Sequence, residues 1–98
     1  MMQYVWRKPE STEIDEPTEV YSELDEQRRE VRRVEVYPNG QMFAYGGDRG
    51  GDEALSPDPF PTDLSRLPGK AYPVPAAMFR EAWMVSQELP DGFTGMFM

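Results

Sequence analysis

The stretch VRRVEVYPNGQMFAYGG, Val31 to Gly47, decides the fold. It alternates as a strand does, reverses, and alternates again. Pro38 fixes φ at about −65° in the first turn position, Asn39 tolerates the bridge or left-handed region, and Gly40 takes positive φ without a steric penalty. A three-residue hairpin loop with a bulge at the glycine follows. This sets Tyr37 opposite Gln41, Val36 opposite Met42, Glu35 opposite Phe43 and Val34 opposite Ala44. One face then carries Val34, Val36, Met42 and Ala44; the other carries Arg33, Glu35, Tyr37, Phe43 and Tyr45. Val31 breaks the period. Either a bulge near Arg32 and Arg33 resets the register, the preferred reading, or Val31 belongs with the aromatic face.

Upstream, MQYVWRK alternates with Tyr4 and Trp6 on one side and Val5 on the other, which predicts a first strand. PESTEIDEP, bounded by prolines, is a loop. In TEVYSELD, Thr18 to Asp25, Val20, Ser22 and Leu24 share one side and Tyr21 and Glu23 the other, and EQRR links this strand to the hairpin. Downstream, GGDRGGDEALSPDPFPTDLSRLPGK has no period. Its apolar residues Leu55, Phe60, Leu64 and Leu67 would each gain from burial, so the segment is expected to cross the domain and pin part of it. The tip at Asp48 to Asp52 is expected to be mobile.

PVPAAMFREAWMVSQELP predicts a helix over 75–88, with Pro75 at its start and Pro90 ending it. Met78, Phe79, Ala82, Trp83 and Ser86 follow helical spacing on one side. A helix this short is not stable alone in water, so the stripe must dock on the sheet, with Phe79 and Trp83 as anchors. The apolar tail at 91–98, DGFTGMFM, either folds back or mediates self-association. The 98 residues hold one α+β domain. Its expected layout is an antiparallel meander of about four strands over 2–46, an irregular crossing over 47–72, and a single C-terminal helix packed on one face.

Net charge is −8, and the acids Glu10, Glu13, Asp15, Glu16, Glu19, Glu23, Asp25 and Glu26 alone supply that total, with no Lys or Arg among them. Arg28, Arg29, Arg32 and Arg33 follow at once, interrupted by Glu30. Such a balance argues against binding nucleic acid through phosphates and favours a cationic partner. The chain has no cysteine and no histidine, which removes thiolate chemistry, the commonest general acid-base group and the commonest transition-metal ligands. DRGGDE, Asp48 to Glu53, lacks the spacing of an EF-hand, and its glycines do not lead from strand to helix as a phosphate cradle requires. No catalytic residue, metal or cofactor is therefore expected. No membrane span or secretory signal is apparent either, and a cytoplasmic location is the simplest expectation.

VYSELDEQRREVRRVEVYPNGQMFAYG, with Trp6 and DEPTEV before it and Pro75, Phe79 and Trp83 after it, resembles a small bacterial domain family of unknown function. Members share a YSELD…VEV…G core and a P…F…W helix. The resemblance covers Tyr4 to Gln87 and implies an outline but no activity. By type, small acidic proteins of this kind include immunity proteins that neutralise toxins. The expected function is thus a non-enzymatic, immunity or antitoxin-like inhibitor masking a basic toxin. The acids Glu13, Asp15, Glu16, Glu19, Glu23, Asp25 and Glu26 would steer, and the aromatics Tyr37, Phe43 and Tyr45 would dock. The alternative is a structural or self-associating accessory domain, forming a homodimer through the aromatic face or tail.

Overall fold

The hairpin closes in the expected register. In the computed structural model, which describes residues 1–10 and 13–88, β3 (Glu30–Val36) and β4 (Met42–Gly46) pair Val36 with Met42, Glu35 with Phe43 and Val34 with Ala44. The Gly40 N–H donates to the Tyr37 carbonyl and the Tyr37 N–H to the Gln41 carbonyl, both at 2.9 Å. Gly40 sits at φ +86, where a side chain would be strained. Asn39 adds a bond of its own, its Oδ1 accepting the Gln41 N–H at 3.0 Å.

β1 (Gln3–Lys8) and β2 (Glu19–Leu24) extend the meander, and all pairings are antiparallel in the order β4-β3-β2-β1-β5. The fifth strand, β5 (Lys70–Pro73), was not expected. Its first three residues lie in the stretch read as irregular, and it is four residues long and contains a proline. The Val74 N–H donates to the Tyr4 carbonyl at 3.0 Å, so residues 70, 72 and 74 face β1 and the missing N–H of Pro73 falls on the outer edge, where it costs nothing. The helix α1 (Ala76–Glu88) starts just after Pro75. The tail at 91–98 lies outside the described residues.

The register shifts between Glu23 and Leu24, which pair with Arg32 and Glu30. The extra residue is therefore Val31, next to the position expected for the bulge, and it moves Glu30 to the face opposite the helix. Gly46 makes room for this kink. A Cβ there would lie 2.3 Å from the Val31 carbonyl oxygen, and its φ is +90. Bulge and glycine are thus one local device.

On the helix side Val34, Phe79, Ala82 and Trp83 form a buried cluster, joined by Tyr4, Tyr21, Met42 and Ala44. This is the core expected from the aliphatic face of the hairpin and the Phe79/Trp83 stripe. Met78, placed on that stripe, is instead exposed at the rim. On the other face Val5, Leu24 and Phe60 cluster with Leu64, Leu67 and Ala71, so the crossing segment covers the β1–β2–β5 half of the sheet. The tip of that segment is tied down rather than loose: the Arg49 guanidinium donates to the Trp83 carbonyl at 2.9 Å and to the Ser86 hydroxyl at 3.0 Å.

Phe79 is fully buried, whereas Met84 on the outer face of α1 is 58% exposed. Phe79→Ala is expected to lower the unfolding free energy by about 3–5 kcal/mol, and Met84→Ala by about 0.5 kcal/mol or less. Urea titration followed by far-UV circular dichroism distinguishes the two.

Candidate functional site

The acidic run divides once it is folded. Glu13, Asp15 and Glu16 are exposed on the loop before β2. Asp25 closes the β2–β3 turn by accepting the N–H groups of Gln27 and Arg29 at 2.9 and 3.0 Å. Glu26 is exposed and lies 3.2 Å from the N-terminal amine. Glu19 accepts the indole N–H of Trp6 at 2.9 Å. Glu23 is buried beneath α1, where it accepts Arg32 Nε at 2.5 Å, Arg32 Nη2 at 2.9 Å and the Tyr4 hydroxyl at 3.0 Å. Hydrogen bonds from Arg32 hold its carboxyl below the usual range, against the opposing effect of burial. Its charge is spent within the fold.

Tyr37, Phe43 and Tyr45 lie on the face away from α1, beside a buried polar cluster. Arg33 donates to Glu30 at 2.8 Å and to Glu35 at 3.1 Å; Glu30 also accepts the Ser22 hydroxyl at 2.5 Å and the Ser56 N–H at 2.9 Å. Arg7 lies 4.0 Å from Glu30 and stacks over Phe60 at 5.1 Å. The Tyr37 hydroxyl donates to Glu35 at 2.9 Å, and its ring meets Phe43 edge-on at 5.4 Å. Burial first, and the Glu35 hydrogen bond second, push the Tyr37 phenol up to about 12. Two carboxylates are close here, and guanidinium and hydroxyl donors hold both. Among the described residues the two carboxylates are satisfied by these donors, whereas the buried Nε of Arg7 makes no hydrogen bond.

A groove of about 340 Å³ opens where α1 passes over the start of β2 and the end of β3. Tyr21, Met42, Met78 and Val85 give it an apolar floor and wall, and the carboxylates of Glu19 and Glu81 stand in the same lining. Burial, together with the charges of Glu19 and Glu81, raises the Tyr21 phenol. Glu81 was missed in the sequence, since one acid on an amphipathic helix carries no signal until the sheet partner is known. A larger hollow, about 920 Å³, lies between Gln3–Val5, Leu64, Ala71–Val74 and the first turns of α1. Of its polar groups, Arg28 is committed to the carbonyls of Phe60 and Pro61 and to Gln3, and Asp63 is capped by Ser65. The smaller groove has the better chemistry for recognition because its carboxylates converge on an apolar wall. Among the described residues no group of three carboxylates is arranged to hold a metal ion.

Two titrations check these assignments. Tyr37 has a raised pKa, so its contribution to stability is fully present below pH 10.0 and is lost as pH rises towards about 12. In a phenolate absorbance titration Tyr37→Phe should remove the component near pH 12, and Glu35→Gln should move it down. Glu23 has a depressed pKa, so its contribution is present above about 4.5 and is lost as pH falls through the lower folded value. Glu23→Gln should therefore be less stable at neutral pH, with a shallower further loss in acid.

Comparison with curated proteins and with solved structures returns no match. One family model does match, over residues 3–85, a span that takes in the whole sheet, the crossing segment and most of α1. The chain therefore belongs to that family, a domain of unknown function (DUF6881).

Proposed function

We propose that this domain is a non-enzymatic binding protein for a cationic protein surface, acting as an immunity or antitoxin-like inhibitor that masks a basic toxin. The groove carries this reading: two carboxylates, Glu19 and Glu81, meet an apolar lining of Tyr21, Met42, Met78 and Val85. A Lys or Arg side chain has the matching form, with an aliphatic stem to lie on the methionines and a charged head for the carboxylates. Thr18 fastens the acidic loop beside the groove, donating its N–H to the Val36 carbonyl at 2.7 Å. Glu13, Asp15 and Glu16 thus precede the groove along the path of a cation drawn in by a field of net charge −8. Glu23 adds little to that field, because the Arg32 guanidinium compensates its charge within the fold, whereas Asp25 keeps its charge, since its partners are neutral N–H groups.

The test separates approach from docking, with a synthetic Lys/Arg-rich peptide as the first probe. Reversing Glu13, Asp15 and Glu16 to Lys together should slow association by roughly tenfold or more at low salt and flatten its salt dependence. Glu19→Gln with Glu81→Gln should mainly speed dissociation. Unchanged rates in both variants would remove the proposal. For the inhibitory role, co-expression with a basic toxin that this domain binds should protect cells, and the double Gln variant should protect them less.

A further inference from the structure

We infer that the partner adds an extended strand of its own to the free edge of β4. This rests on the binding reading above and names how the partner is held. The hydrogen-bond phase of the hairpin carries it. Because the Tyr37 N–H donates to Gln41, residues 37 and 41 form a bonded pair, and strict alternation makes Glu35/Phe43 and Arg33/Tyr45 bonded pairs as well. The backbone groups of Met42, Ala44 and Gly46 must then point away from β3. Gly46 agrees, since its N–H donates outward to the Gly50 carbonyl at 2.7 Å. Among the described residues the outward N–H and C=O groups of Met42 and Ala44 have no partner. They form a short ladder, about 7 Å from one residue to the next on the same side, ready for another strand.

The two edges of the sheet are treated differently. On β5 the outward residues are Ala71 and Pro73, and proline offers no donor; Lys70 stands at the start of the strand. These are devices by which sheets refuse further strands. β4 reads MFAYG, with no charge and no proline. An apolar edge open at Met42 and Ala44, with Gly46 closed by Gly50, beside a guarded one marks a place for β-strand addition.

The flanks specify the occupant. Phe43, 39% exposed, lies beside the edge on one face. On the other face lies Met42, which lines the groove whose lining also includes Glu19 and Glu81. Alternate side chains of an added strand fall on these two sides, so the fitting segment alternates apolar residues with Lys or Arg. A second copy of this chain fits poorly: β4 has no cation to offer the groove, and each copy carries net charge −8.

Amide exchange in the 98-residue chain, with a peptide alternating lysine and valine as probe, tests the inference. Exchange at Met42 and Ala44 should slow by roughly tenfold or more on peptide addition. Ala44→Pro removes an outward N–H without breaking the β3–β4 ladder, and should weaken binding by roughly tenfold. The exchange measurement on the unsubstituted chain decides the matter even if that variant folds badly. Peptide binding with both amides exchanging as in the free chain would overturn strand addition and leave the groove reading standing. No binding at low salt would sink both. Protection of both amides in a peptide-free dimer, seen by sedimentation, would replace the proposed occupant with a second copy.

Discussion

A strand offers each side chain only two directions, and in this chain one extra residue decides which carboxylate meets which guanidinium. Without the bulge at Val31, Glu30 would share a face with Arg32 and Val34 and press an acid against Phe79 and Trp83. With it, Glu30 turns to the opposite face, where Ser22, Arg33 and the Ser56 N–H satisfy it. Burying a carboxylate without such partners costs several kcal/mol on the order of the whole stability of a small domain. The bulge, the glycine opposite it and the polar cluster therefore depend on one another.

The helix side solves a related problem with rings. Trp83 holds one guanidinium 4.6 Å from its ring centroid, that of Arg32, and another at 4.3 Å, that of Arg49. Arg32 also lies 5.0 Å from the Phe79 ring and is paired with Glu23, so its charge is compensated by a carboxylate and by two ring faces at once. Among the described residues Arg49 has no carboxylate partner of that kind, and its buried Nε makes no hydrogen bond. The indole face and the Trp83 carbonyl offset its desolvation instead. Sheet, helix and crossing segment thereby share one side chain, which explains how a segment without periodicity still finds a fixed path.

What could be read from the sequence follows from the range of the interactions. The turn at Pro38 to Gly40 is local, so the register, the two faces of the hairpin and the Phe79/Trp83 anchors were all legible. β5 was not, because four residues ending in proline show no alternation and pair only when β1 is already there. Glu30 read as an interruption of an arginine run, although its partners Ser22 and Ser56 are contributed from elsewhere in the chain. Along the sequence the acidic run looked like a single feature. Folding splits it, since Glu23 and Asp25 are consumed by bonds whose donors could not be identified by spacing alone.

That division bears on how an acidic protein can recognise anything in particular. Exposed charges such as Asp15 and Glu16 act at a distance, but each contact they make in water contributes only about 0–1 kcal/mol and is screened by salt. They attract basic surfaces in general. Glu19 and Glu81 differ because they border the apolar lining of the groove, and a charge pair strengthens as the local dielectric falls. On the proposed reading, a partner would have to present its cation at a set distance from apolar groups that match Met42, Met78 and Val85. On that reading, specificity would arise where the charge borders on the core, not where the charge is densest.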